Sequence, residues 1–329
     1  MISAGDAQRF DDEGYLVVRG LLDVRRDIRP LRDAYAALID ALATIYEVEL
    51  GRSLAVLGAP QSEGVRLATL LGLSGGDALH HLAPVLSVFS PRFRWRRDLP
   101  PAQLPECFDL MRNAALLDAV EALVGPEIQA SPIYHFNLKL APRHLALAES
   151  IAKAAGRRSP SAAATHYGFE VGQTPWHMDA IAGLRDSHQS KIVIAWIPLT
   201  PADSDRGALR VVPRSHRCGV RSGPFPDDLL SQAIVVEATP SDVVFMHNTL
   251  LHSASENRTA DEVRWACNFR YLSVGEANGR PYLPGFIARS RSAPETELTN
   301  PHVWIGMWMC ALDNLMQGEL PGMSRSLLN

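Results

Sequence analysis

His177 and Asp179 stand one residue apart in Thr174-Pro175-Trp176-His177-Met178-Asp179. On extended backbone, side chains two positions apart leave the same face, so this imidazole and carboxylate can clasp one ion. A third ligand must come from elsewhere in the chain. His252 is the candidate, because it follows a turn at Ser241-Asp242 and an apolar strand, Val243 to His247. Two imidazoles and one carboxylate on one face leave three coordination positions open, which suits non-haem Fe(II) and O2 chemistry. Zinc more often takes three protein ligands and one water in a tetrahedral site. Among eleven histidines, one HxD triplet is weak evidence by itself. His247, five residues before His252, competes for the ligand role, as does His216. His247 ends the apolar strand, and His216 is read as completing a turn or touching a neighbour.

The elements that must position these residues are helices first and strands after. Ser3 caps a helix through Phe10, and Asp11, Asp12 and Gly14 break it before the strand Tyr15 to Val18. Apolar residues at helical spacing (Ile28, Leu31, Tyr35, Leu38, Leu42, Ile45, Val48) predict a helix over 27–50. A second helix is expected from Pro105 to Leu123, ending at Gly125-Pro126. Alternation then predicts strands over 133–141, 192–197, 208–212, 233–237, 243–247 and 264–272. The segment from His144 to Thr165 reads as a helix followed by a polar, small-residue stretch, and 142–167 as an insertion or lid. Pro301 to Met316 is a final helix capped by Asn300, with Trp304, Trp308, Leu312 and Leu315 on one stripe. That stripe is read as core packing before a ligand platform.

Two strands carry polar residues on one whole face. Arg264, Ala266, Asn268 and Arg270 alternate with Trp265, Cys267, Phe269 and Tyr271, and His135, Asn137 and Lys139 oppose Tyr134, Phe136, Leu138 and Leu140. A single such strand is ordinary on a solvated sheet. Two of them beside the histidine motif point to a barrel packed by helices outside and polar within. The fold class expected is therefore mainly β with helical additions.

Composition narrows the setting. The chain has 329 residues, 32 Lys and Arg against 36 Asp and Glu, and a formal net charge of −4. That balance gives no electrostatic footprint for nucleic acid. The four cysteines are far apart with no CxxC pair, which argues against a zinc ribbon and a secreted disulfide scaffold. No apolar run is long enough to span a membrane, and the first residues lack a signal-peptide stretch. A cytoplasmic protein acting on a small molecule is expected, with no nucleic-acid or membrane partner.

The motifs together resemble the phytanoyl-CoA dioxygenase family of Fe(II)/2-oxoglutarate-dependent oxygenases. The likeness begins at Phe10-Asp11-Asp12-Glu13-Gly14-Tyr15 and returns at Leu116 to Pro126. It is strongest from Trp176 to Tyr271, through HxD, Gly207 to His216, and His252 to Arg264. The resemblance implies a double-stranded β-helix (jelly-roll or cupin-like) with helices packed on one sheet. It also implies His177, Asp179 and His252 as catalytic iron ligands, with 2-oxoglutarate and O2 as cosubstrates. Arg264 would hold the distal carboxylate of 2-oxoglutarate by a two-pronged contact that Lys could not reproduce. Asn137, Lys139 and Ser253 are further candidates for cosubstrate contact, and His135 and Arg270 for substrate. Here Arg264 follows His252 by twelve residues where the family usually has eleven, and Ala254 stands where it often has Ser. Because Asp179 is a carboxylate and not Gly or Ala, the resemblance favours hydroxylation or another oxidative outcome over halogenation.

The expectation is thus one domain over 1–329. It comprises helical support over 1–128, a β core near 129–275 and a C-terminal helix near 300–316. The reaction expected is hydroxylation of an unactivated C–H of a secondary metabolite, amino acid or acyl derivative, releasing succinate and CO2. The alternatives are a cupin-type metalloenzyme that does not use 2-oxoglutarate, and a non-catalytic β-barrel binding module.

Overall fold

The computed structural model describes residues 2–51, 61–82, 95–160, 172–183 and 185–317. Helix α1 (Ala4–Glu13) opens on a capping box between Ser3 and Asp6 and closes on Gly14, whose φ of 81° satisfies a left-handed C-cap. It therefore runs through Asp11 and Asp12, past the expected stop at Phe10. The glycine, and not the aspartates, ends it. Strand β1 (Tyr15–Val18) follows, then a π-helical turn (Val24–Ile28) leading into α2 (Arg29–Leu50). Next come α3 (Glu63–Ser74), the short α4 (Asp77–Leu82), α5 (Pro105–Met111) and α6 (Ala114–Val124). The single helix expected over 105–123 is thus two, because the Asn113 side chain caps a new start by accepting from the Leu116 N–H.

Strands β2 (Glu127–Ala130) and β3 (His135–Leu140) precede α7 (Pro142–Ala154). Then come β4 (Thr174–His177), β5 (Val193–Pro198), β6 (Leu209–Val211), the one-turn α8 (Asp227–Leu230) and β7 (Ile234–Val236). The chain continues with β8 (Val243–His247), β9 (His252–Ala254), β10 (Val263–Ser273), β11 (Phe286–Ser290) and α9 (Pro301–Gln317). Helix α7 packs against α3, with Gly72 of α3 directly against Ile151. The helical part of the expected lid is therefore docked, and 161–167 lie outside the described residues.

The strands form two antiparallel sheets. A seven-stranded sheet runs β1-β8-β5-β10-β2-β11, with β3 also paired to β10. A four-stranded sheet runs β4-β9-β6-β7. The larger sheet thus reaches beyond 129–275, taking in Tyr15–Val18 at one edge and Phe286–Ser290 at the other.

Alternation along β10 sorts its two faces as the sequence pattern requires. Trp265, Cys267, Phe269 and Tyr271 join the main core with Phe136 and Leu138 of β3 and the helical residues Phe10, Tyr35, Leu116 and Trp304. Tyr35 lies 4.2 Å from the Phe136 ring and meets Trp265 edge-on at 5.8 Å. On the other face, Ile194, Trp196, Val244, Met246 and Ala266 pack with Leu209, Val211, Val236 and Ala254 of the smaller sheet. The sheets therefore face each other across a second core, and the polar residues of β3 and β10 are turned into that space. The Trp304–Trp308 stripe of α9 belongs to the helical core, where both rings lie 5.7 Å from Tyr134. Among the described residues, no helix is long and apolar enough to cross a membrane.

Candidate metal centre

His177 ends β4, His252 starts β9, and the two residues are paired across the strands. Asp179 follows on the short turn after β4, held by the Ala180 N–H donating to the Asn248 carbonyl at 2.8 Å. One ligand atom from each of His177, Asp179 and His252 can be chosen so that all lie within 4.8 Å of one another. His252 Nε2 is 3.7 Å from Asp179 Oδ2, and His177 Nε2 is 4.0 Å from Asp179 Oδ1. Both imidazoles are fixed from behind. His177 Nδ1 meets the Pro175 carbonyl at 2.9 Å, and His252 Nδ1 meets the Leu250 carbonyl at 3.0 Å. A carbonyl can only accept, so each Nδ1 carries the proton and each Nε2 keeps its lone pair for the site. Burial pulls the His252 pKa down to about 4, which keeps it the neutral base a metal requires.

Asp179 is buried, and burial alone would oppose its ionisation. The Arg270 guanidinium, with Nη2 donating to Oδ1 at 2.6 Å, leads the surrounding groups that together outweigh burial and hold the carboxyl well below the usual range. The other oxygen, Oδ2, is buried with no hydrogen-bond partner among the described residues. An orphaned carboxylate oxygen 3.7 Å from the His252 Nε2 lone pair is what a divalent cation would complete. The donor set of two nitrogens and one oxygen fits iron.

Beside the triad opens a narrow cleft of about 40 Å³. Its lining includes His135, Asn137, Ser253, Arg264 and Asn268. Arg264 is 1% exposed, yet no carboxylate pairs with it among the described residues. Its Nη1 reaches the Asn137 carbonyl at 3.4 Å, its guanidinium carbon lies 5.8 Å from the Trp196 ring centroid, and its Nε has no partner among the described residues. Burial pulls its pKa down, but a guanidinium stays charged at neutral pH. Among the described residues the cleft thus holds a buried cation without its anion, a costly arrangement unless a ligand supplies one. The Ser253 hydroxyl is likewise buried without a partner among the described residues.

The remaining expected site residues divide. His135 lines the cleft, its Nε2 against Asn268 Nδ2 at 2.9 Å, and burial takes its pKa down to about 3, so it presents a neutral ring. Asn137 lines the cleft as well. Lys139 does not: its ammonium donates to the Gly172 carbonyl, to Thr174 Oγ1 and to the Ala254 carbonyl, tying β4 to β9. Arg270 is engaged with Asp179 and is absent from the cleft wall. His247 bonds Thr249 Oγ1 at 2.8 Å and His216 meets the Asp11 carbonyl at 3.1 Å, so neither joins the triad. Trp176 packs beside Met178 and Leu251, with the Arg210 guanidinium 5.0 Å over its ring. Thr174, Trp196 and Asn268 line the cleft and were not singled out as site residues from sequence. Asn268 shares the inward row of Arg264, but Trp196 joins it only through the Trp196–Asn268 register.

Residues 112–266 match the sequence model of the family described as phytanoyl-CoA dioxygenase (PhyH). No curated protein matches the chain. Among solved structures, the chain is similar to a non-heme monooxygenase, ThoJ, in its apo form. The identity is 15% and the TM-score 0.50, over 95% of this chain and 99% of that one. A ThoJ–Ni complex aligns at 14% identity and TM-score 0.50, over the same shares. EctD from S. alaskensis with 2-oxoglutarate and 5-hydroxyectoine aligns at 18% identity and TM-score 0.48, over 84% of this chain and 77% of that one. At these identities the ThoJ likeness is one of fold. The stretch 112–266 that matches the phytanoyl-CoA dioxygenase (PhyH) model takes in His177, Asp179, His252 and Arg264.

Proposed function

We propose that this protein is an Fe(II)- and 2-oxoglutarate-dependent oxygenase that hydroxylates an unactivated C–H of a small molecule. One observation carries the reading: an open His-Asp-His triad shares a cleft with a buried guanidinium that has no carboxylate partner among the described residues. His177, Asp179 and His252 would hold the metal. Arg264 would take the far carboxylate of 2-oxoglutarate, with the Ser253 hydroxyl and Asn137 beside it. When bound, the iron and its cosubstrates supply oxidation of the C–H, with 2-oxoglutarate leaving as succinate and CO2. The chain's own part is to keep both imidazoles in the Nδ1–H form, keep Asp179 ionised and exclude water around Arg264. His135, held neutral, offers the substrate side a hydrogen-bonding ring and no charge.

We read the two facing sheets as the halves of a double-stranded β-helix, and the whole chain as one catalytic domain. A cupin-type metalloenzyme without 2-oxoglutarate would leave the Arg264 charge unexplained. The test is anaerobic addition of Fe(II) and 2-oxoglutarate to the metal-free protein. A visible charge-transfer band requiring both is expected. Metal binding with no band, and no 2-oxoglutarate affinity by calorimetry, would overturn the reading.

A further inference from the structure

The guanidinium of Arg270 is spent twice on one residue. Nη2 donates to Asp179 Oδ1 at 2.6 Å, and Nη1 donates to the Asp179 backbone carbonyl at 3.2 Å. Both side chains are buried, Arg270 at 2% and Asp179 at 5% exposure. Arg270 lies on the inward row of β10 opposite Ile194, so a rigid central strand carries it to the turn after β4. Asp179 Oδ2 is left without a partner among the described residues, 3.7 Å from His252 Nε2.

We propose that Arg270 is a positioning residue that reserves Asp179 Oδ1, so that Asp179 presents one oxygen, Oδ2, to the metal. The inference rests on the metal reading given above. A carboxylate can bind a cation through one oxygen or both. Turning Asp179 to offer both would require breaking a charge-assisted hydrogen bond in a dry interior. The second bond, to the backbone carbonyl, prevents Arg270 from following such a turn. With three protein donor atoms, three positions remain, two of which a keto acid needs for chelation. A fourth donor atom from Asp179 would take one of them. Lysine offers a point charge and cannot reproduce this fork.

The test uses Co(II) in the full-length protein without oxygen, reading the visible ligand-field spectrum and the 2-oxoglutarate Kd. Arg270→Met is expected to bind Co(II) with an altered spectrum and a 2-oxoglutarate Kd raised about 10-fold or more. Arg270→Lys is expected between Arg270→Met and wild type, and Arg264→Met is expected to raise the Kd while leaving the spectrum of the metal-only form unchanged. A folded Arg270→Met protein with the wild-type spectrum and a Kd within about 2-fold of wild type, a tether-only result, would overturn the proposal. Should Arg270→Met fail to fold, Arg270→Lys decides by the same two readings. Failure of the wild type to bind Co(II) overturns the metal reading itself. Wild-type binding with unchanged variants overturns only the role of Arg270.

Discussion

His177 and His252 meet with ring centroids 4.2 Å apart, and each imidazole hangs from the carbonyl oxygen two residues before it. The shared clasp means that the site is arranged before any metal arrives. Removing one member leaves two donors and an unbalanced pocket. His177→Ala and Asp179→Ala should each abolish stoichiometric Fe(II) binding at neutral pH, together with succinate formation. Metal analysis after gel filtration checks this, and retention of one iron per chain by either variant would count against the assignment.

Arg264 should matter to the cosubstrate and not to the metal. Its guanidinium has the Asn137 carbonyl and the Trp196 ring as neighbours but no carboxylate among the described residues. A charge-assisted contact is worth about 1.5–3 kcal/mol, and 1.4 kcal/mol is tenfold in affinity. Arg264→Leu should therefore raise the 2-oxoglutarate Kd by roughly 10- to 100-fold. Calorimetry on the metal-loaded protein measures it, and Fe(II) affinity should stay near wild type.

What could be read ahead of the fold follows from the range of each interaction. The alternation in β10 is local, so its apolar and polar faces were legible, and so was the HxD pair, two positions apart where β4 ends and its turn begins. Strand β9 has only three residues, too few for a period, and β4 contains Pro175, which argues against a ladder. The break at Asn113 was hidden because apolar spacing continues on both sides of a residue that caps through its side chain. The engagement of Arg270 with Asp179 and of Lys139 with the β4 and β9 backbone depends on cross-sheet register. No sequence period reports that register. Both cations were therefore expected at the substrate or cosubstrate when they serve the frame.

Acid should destabilise the metal-free protein before its carboxylates titrate. Burial lowers His135 to about 3, and His247 and His252 to about 4, against about 6.5 in the unfolded chain. With folded pKa values depressed, the unfolded chain binds more protons between pH ~6.5 and ~4, so stability rises with pH there. It is level above pH ~6.5 and falls as pH drops through that window. Asp179, also depressed, adds its loss only below pH ~4. Denaturant midpoints at pH 7.5, 6 and 5 should fall in that order, and His247→Gln should flatten the slope without touching the metal ligands. A midpoint constant over this range would contradict the buried neutral assignment.

Gly207 supports the site by leaving room for Lys139. It has a φ of 72°, and a Cβ there would lie 2.7 Å from Lys139 Cδ and 2.7 Å from the Ser255 carbonyl oxygen. Gly207→Ala thus combines a left-handed backbone penalty with a clash against the side chain that ties β4 to β9. A loss of about 1–3 kcal/mol is expected, with weaker metal binding because β4 carries His177. Equilibrium unfolding and Fe(II) titration measure the two effects, and a wild-type metal affinity would show that β4 holds its place without Lys139.

Trp308 gives the converse case, a large stability effect with no effect on the site. It is fully buried in the helical core, edge-on to Tyr134, and lines no part of the cleft beside the triad. Trp308→Ala should cost about 3–5 kcal/mol through the cavity it leaves. Its Nε1 is buried without a hydrogen-bond partner among the described residues. Trp308→Phe forfeits packing but also removes that unsatisfied N–H, so it should cost clearly less than the alanine variant. Chemical denaturation ranks the two, and both should bind Fe(II) and 2-oxoglutarate as wild type does at temperatures where they are folded. A cosubstrate defect in the folded Phe variant would mean that α9 reaches the cleft, against the packing that places it behind β10.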